Sequence, residues 1–200
     1  MPGDGRLAAH HRPHRTPSTG TPAPPFDQAD TSTAPTPAEP APTPPTGLAP
    51  NRLLIPSLGI NAPLVPGGID NHNLMIPDDP AQVTLYQDGG NPCGTQGTVL
   101  LAGHVASKGV HGALWPLAGI RPNAEAWVTC DDGTPTRWRA VSADITDKAD
   151  LPQDLFDVTG EHSLVIVTCG GDVTDGHYVQ NVIAHFVWAG SDQMVVGTGM

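Results

Sequence analysis

Hydrophobic residues along this chain come in short runs and not in helical repeats. Two runs, over residues 98–103 and 163–169, are strongly apolar and rich in β-branched residues. Five weaker runs, apolar or alternating, cover residues 52–55, 60–65, 125–130, 136–145 and 178–188. Turn-forming residues separate the runs at intervals of roughly 8–12 residues, a spacing typical of all-β domains. The pattern therefore predicts seven or eight short strands.

The segments between these runs predict turns and little helix. Residues 78–80 have the composition of a helix start, which predicts one short helical turn through Val83. Residues 111–115 predict a brief helix or turn, residues 131–134 a hairpin turn, and residues 170–177 a loop. Because no periodic apolar pattern exceeds two helical turns, we expect an all-β fold: a closed or nearly closed β-barrel with a few short helices.

Composition divides the chain into a stalk, a folded domain and a tail. Thirteen of the 23 prolines lie in residues 1–50, together with many Thr, Ala and Ser residues. Such a stretch cannot bury enough apolar surface to offset its ordering entropy, so we expect a disordered, semi-extended stalk or linker. The folded domain is then expected over residues 51–189, followed by a short tail over residues 190–200.

The charge of the chain limits the classes of partner that it is expected to bind. The formal net charge is −11, and no Lys or Arg follows Lys148. An acidic domain repels phosphate backbones, so we expect no nucleic-acid partner. Arg6, Arg12 and Arg15 belong either to a solvated tail or to the cytosolic flank of a membrane anchor. No apolar run approaches the ~18–20 residues that span a bilayer, and no signal-peptide core is visible. A Pro/Thr/Ala-rich stalk is nevertheless typical of exported proteins.

Three cysteines leave at least one thiol unpaired within the chain. Cys93 lies in a Gly/Pro-rich stretch, and Cys130 lies at the end of a predicted strand. They either form a disulfide in an oxidising compartment or remain reduced. A zinc site is disfavoured because the usual ligand spacing is absent, and we expect no metal site from these residues.

The two strongest strands each end in a reactive side chain. Residues 98–103 are followed by His104, and the run from residue 163 ends in Thr168, Cys169 and two glycines. Catalysis by a thiol requires at least a thiolate nucleophile and an imidazole beside it that acts as acid and base. The alternative is structural: free cysteines are often buried, and a strand-end histidine often only forms hydrogen bonds.

The order and spacing of several segments resemble those of sortases, most closely the actinobacterial class F or class E/F group. The segments are 52–63 (RLLIPSLGINAP), 75–80 (MIPDDP), 97–105 (GTVLLAGHV), 168–172 (TCGGD), 176–178 (GHY) and 181–182 (NV). The resemblance covers about residues 52–189, which is essentially the whole predicted domain.

The resemblance implies a closed eight-stranded sortase-type β-barrel and a cysteine transpeptidase activity. Cys169 would attack a C-terminal sorting signal of the Leu-Pro-x-Thr-Gly type and form an acyl-thioester. His104 would serve as proton donor and acceptor, and a peptidoglycan precursor, another amine or water would resolve the intermediate. The family works without a cofactor at the outer face of the cell membrane or at the cell surface. We expect a monomer.

One departure from the family pattern concerns an arginine. Sortases use an arginine on the strand after the cysteine loop, whereas this chain has Val179 and Gln180 there. His177, Arg137 and Arg139 are the candidate substitutes. The rival interpretations are therefore a weak or inactive sortase-like protein that only binds peptides, and an exported all-β interaction module in which Cys169 is structural.

Overall fold

A computed structural model describes residues 47–70, 73–148, 151–174 and 176–191. The predicted stalk and tail lie largely outside the described residues. Twelve strands are present in the described chain. They are β1 (Arg52–Ile55), β2 (Ile60–Gly67), β3 (Ile69–Asp70), β4 (Asn73–Leu74), β5 (Val83–Tyr86), β6 (Thr98–Gly103), β7 (Ala106–Ser107), β8 (Val110–His111), β9 (Glu125–Thr129), β10 (Pro135–Asp147), β11 (Ser163–Thr174) and β12 (His177–Ser191).

Eight of these strands close into a barrel, which confirms the predicted fold. The order around the barrel is β1-β2-β5-β6-β11-β12-β10-β9. The pairs β2–β5 and β6–β11 are parallel, and the other pairs are antiparallel. The remaining strands form two small hairpins, β3–β4 and β7–β8.

Side chains alternate between the two faces of the barrel wall, so each strand contributes to two apolar clusters. The inner cluster fills the barrel and includes the fully buried Trp138 together with Phe186. A second cluster lies outside the wall and contains Leu100, Val165 and Ile183. The 3₁₀ helix Gln153–Phe156, one turn long, contributes Leu155 and Phe156 to this outer cluster.

The described part of the chain contains three single-turn 3₁₀ helices: Pro56–Leu58, Leu117–Gly119 and Gln153–Phe156. Among the described residues, no helix is long and apolar enough to cross a membrane.

Two local predictions were wrong. The helical turn predicted through Val83 is a plain turn, in which the Gln82 N–H donates to the Asp79 carbonyl, and Val83 instead begins β5. Its side chain is buried in the inner cluster, and that burial outweighs the weak local capping signal. The loop predicted over residues 170–177 is largely a continuation of β11 and β12, because residues 173 and 174 pair with residues 178 and 177.

A disulfide joins Cys93 to Cys130, with their Cα atoms 6.1 Å apart. Of the two states left open by the sequence, the structure contains the oxidised one. The bond ties the β5–β6 connection to the residue that follows β9, and so links elements that do not pair directly. Cys169 is the free cysteine.

Replacing both Cys93 and Cys130 by serine is expected to lower the free energy of unfolding. The bond closes a loop between residues 37 positions apart, and a cross-link of this size contributes about 2–4 kcal/mol. Urea unfolding of the oxidised wild type and of the double variant measures the difference, with Cys169→Ser as the control that keeps the bond. Equal stability of the double variant and the wild type would contradict the expectation.

Candidate active site

The parallel pair β6–β11 brings the two predicted reactive residues together. Its register runs from Ser163 opposite Thr98 to Thr168 opposite Gly103. The Thr168 hydroxyl donates to the Gly103 carbonyl oxygen at 2.8 Å, between residues 65 positions apart in sequence. The next residue on each strand is His104 or Cys169. The imidazole and the thiol therefore emerge side by side at one end of the barrel.

The alternation of the strands places Cys169 on the outer face of the wall. Leu164 and Ile166 point into the inner cluster, whereas Val165 and Val167 belong to the outer cluster. Cys169 has the same parity as the outward residues and is half-buried. Its sulfur is accordingly not sealed in the barrel interior.

Glycines after Cys169 shape the backbone beside the thiol. The β11–β12 pairing shifts register between Gly170 and Val173, and Gly171 adopts a φ of 69°. A Cβ atom at Gly171 would also lie 2.8 Å from the Gln180 Cβ. Conformation and close contact thus both require glycine here, and the register shift forms a bulge directly after the thiol.

The His104 ring is held by the backbone of a neighbouring segment. Its Nε2 lies 2.9 Å from the Pro77 carbonyl oxygen. A carbonyl oxygen only accepts, so Nε2 carries the hydrogen and Nδ1 is left to take up or release a proton. Gly112 packs closely against His104, because a Cβ atom at position 112 would lie 2.8 Å from the His104 Cβ. Glycine at this position therefore leaves room for the histidine.

Two open cavities meet at this pair. The first has a volume of about 300 Å³ and is lined by apolar residues, including Leu74, Ile76 and Leu151, as well as by Cys169 and His104. The second, of about 340 Å³, also borders Cys169 and His104, and extends over the β7–β8 hairpin. Among the described residues no hydrogen bond joins the thiol to the imidazole, a looseness common in sites without a bound substrate.

The structure brings one of the three candidate substitutes for the missing arginine to this site. His177 begins β12 and lines the second cavity with Cys169. Arg139 lies opposite Val187, which pairs with Ser163, about 20 Å along β11 from Cys169.

Arg137 lies still further along the sheet, where its guanidinium donates to the Ala189 carbonyl oxygen and faces the Glu125 carboxylate. Neither arginine reaches the cavities. Val179 and Gln180 occupy β12 beside the site and supply no cation.

Two further polar residues line the site and were not assigned a role from the sequence. Asn181 lies opposite Cys169 in the β11–β12 register and lines the first cavity. Lys148 lines both cavities. Only the β10–β12 register, which includes an irregularity between Ala140 and Ser142, brings Lys148 here. No local motif around it signals that placement.

The half-buried Cys169 thiol is expected to react with a methanethiosulfonate reagent in the folded protein, because it borders two cavities open to solvent. Intact-mass spectrometry under native conditions should show one adduct per chain, and Cys169→Ser should show none. Labelling that requires denaturant would mean that the sulfur is sealed and structural.

The family model of the sortase domain matches residues 53–187, which include both Cys169 and His104. No curated protein sequence matches the chain.

Solved structures share the barrel. Sortase C1 from Streptococcus agalactiae is 17% identical, with a TM-score of 0.55, over 71% of this chain and 68% of its own. Sortase C-1 from Actinomyces oris is 16% identical, with a TM-score of 0.55, over 72% and 73% of the two chains. Sortase C-1 from Streptococcus pneumoniae is 10% identical, with a TM-score of 0.54, over 72% and 67%. At such identities the likeness shows the fold, and the family model shows the membership: this chain belongs to the sortase family.

Proposed function

We propose that this sortase is a cysteine transpeptidase that cleaves a C-terminal sorting signal and transfers the acyl group to an amine. The observation that carries the proposal is the juxtaposition of Cys169 and His104. Each directly follows the last residue that pairs between β6 and β11, and both line the same two cavities. Sequence segments such as TCGGD and GHY favour class F or class E/F within the family.

In the first step the Cys169 thiolate attacks the carbonyl carbon of the scissile peptide bond. A sulfur–carbon bond forms, and the carbonyl electron pair moves to oxygen. When this tetrahedral intermediate collapses, the carbon–nitrogen bond breaks and the leaving nitrogen takes a proton from the His104 imidazolium. The first product leaves as an amine, and the acyl group stays on Cys169 as a thioester.

In the second step an amine or water attacks the thioester carbon. The neutral His104 imidazole accepts the proton of the incoming nucleophile, and the thiolate of Cys169 is the leaving group. The hydrogen bond from Nε2 to the Pro77 carbonyl oxygen supports this role, because it fixes the ring while leaving Nδ1 to exchange the proton.

The first cavity fits an apolar peptide segment. Leu74, Ile76, Leu151 and Val167 contribute its apolar lining next to Cys169. A Leu-Pro pair buries its side chains favourably against such a surface. This lining supports a substrate of the Leu-Pro-x-Thr-Gly type, with a peptidoglycan precursor or another amine as the acceptor.

A site of action outside the cytoplasm is part of the proposal. The disulfide between Cys93 and Cys130 supports it, because such bonds persist in oxidising compartments. The cell surface, where sorting-signal substrates meet their acceptors, fits this requirement.

A second candidate function is peptide binding with little or no turnover. The observation that favours it is the absence of an arginine at Val179 and Gln180 on β12. Loss of a charged donor at an oxyanion site costs on the order of 10²–10³ in rate. The Cys169–His104 pair is the feature that argues against this candidate.

Incubation with Leu-Pro-x-Thr-Gly peptides is expected to give a thioester adduct on Cys169. The mass gained by the protein, measured by acid-quenched mass spectrometry, should equal that of the peptide fragment up to threonine less one water. Cys169→Ala should give no adduct and no cleavage while keeping its circular dichroism spectrum. Peptide binding without an adduct would favour the binding module, and cleavage by Cys169→Ala would reject the nucleophile.

His104→Ala is expected to lower the cleavage rate by about 10²–10⁴-fold without unfolding the domain, because it removes the group that protonates the leaving amine. A fluorescence-quenched peptide assay and a thermal melt measure the two effects separately. His111→Ala is the matched control, since His111 stacks on Trp115 and lines neither site cavity. A parallel loss of activity and thermal stability in His104→Ala would indicate a structural histidine.

A further inference from the structure

We propose that the Lys148 ammonium stabilises the negative oxygen that develops beside Cys169, and so supplies, from the residue that follows β10, the positive charge that β12 lacks. The role rests on the proposed acyl transfer. In that reaction the attacked carbonyl oxygen gains a full charge, and donors or cations aimed at it lower the barrier.

The lining of the cavities singles out this lysine among the described cations. Six lysine and arginine side chains occur in the described part of the chain: Arg52, Lys108, Arg121, Arg137, Arg139 and Lys148. Lys108 lines only the second cavity. Lys148 lines both, together with Cys169 and His104.

Strand register places Lys148 on the face that carries the thiol. Cys169 pairs with Asn181, and Asn181 pairs with Thr146. Lys148 follows Thr146 by two residues, and directly opposed or alternate residues share a face. The path from Cys169 through Asn181 to Thr146 crosses two strand spacings, or roughly 10 Å, and Lys148 lies about 7 Å further along the chain. The Cα atoms of Lys148 and Cys169 are thus about 12 Å apart, a span that the flexible four-carbon stem of a lysine helps to bridge.

The same register puts Lys148 opposite the position that lacks a cation. The last β10–β12 pair is Asp147 with Gln180, and the Lys148 N–H donates to the Val179 carbonyl oxygen at 3.3 Å. Lys148, the residue after β10, is therefore a direct neighbour of Val179 on β12. A positive charge at position 148 therefore lies beside the same part of the site as a positive charge at position 179 would.

The charge of Lys148 is available for a substrate. The salt bridges found among the described residues join Arg137 to Glu125 and His185 to Asp144, and neither involves Lys148. The side chain is exposed in the absence of a peptide. A peptide lying in the two cavities would displace water around the ammonium and strengthen its attraction to an oxyanion. In this role the lysine acts only as a charge, and His104 remains the group that transfers protons.

The test compares Lys148→Met, Lys148→Arg and the double variant Lys148→Met/Val179→Arg with the wild type. Arg139→Met is the matched control, because it removes an exposed cation from the same strand far from the cavities. One readout needs no peptide: the ratio of the Cys169 modification rates by an anionic and a cationic methanethiosulfonate reagent. Lys148→Met should lower this ratio roughly five- to tenfold, and Lys148→Arg and Arg139→Met should not.

With a sorting-signal peptide, Lys148→Met should lower kcat by about 10²-fold with a smaller change in KM. Lys148→Arg should retain most activity, and Val179→Arg should restore at least about tenfold in the Lys148→Met background.

An active wild type with equally active Lys148→Met, or an unchanged reagent ratio, would overturn the role of Lys148 alone. A wild type that forms no thioester would overturn the transpeptidation itself, and with it this role, even if the reagent ratio falls as expected.

Discussion

The parallel pairing of β6 with β11 is the constraint on which the site depends. The two strands are separated by some sixty residues of chain, and their register is held by side chains buried on both faces of the wall. A slip of one residue would exchange the inner and outer clusters and turn Cys169 toward the barrel interior. The hydrogen bond from Thr168 to Gly103 lies at the last pair before the reactive residues. The same strand register therefore both buries the core side chains and aligns the two residues of the site.

The outer apolar cluster sets how open the site is. Leu155 and Phe156 pack against Leu100, Val165 and neighbouring residues on the outer face, whereas Cys169 lies outside that cluster and is half-buried. The wall is thus sealed along most of its length and accessible at its end. A thiol one position earlier would lie on the inner face of the wall, where Thr168 is buried, and a thiol one position later would replace Gly170, where an added Cβ would press against Val182.

Much of this arrangement could be predicted from the sequence, because it depends on local apolar runs and their ends. The strands 98–103 and 163–169, the hairpin turn at 131–134 and the barrel all follow from such patterns. The strand at Val83 could not, since it is short, lies next to capping residues and is held by burial in the inner cluster. The place of Lys148 at the site could not be predicted either, because it depends on the β10–β12 register and the irregularity within it.

The position of Lys148 suggests that charge at this site belongs to a face of the sheet and not to one strand. Directly opposed residues on antiparallel strands share a neighbourhood, so a cation can change strands without leaving it. The chemical identity of the cation still matters. A guanidinium offers a planar fork of donors, whereas an ammonium is a mobile point charge. A lysine can thus follow the oxygen as the carbonyl becomes tetrahedral, but it fixes the peptide less firmly. With Lys148 in the proposed role, the task of orienting a peptide substrate would fall more heavily on the apolar cavity lined by Leu74, Ile76 and Leu151.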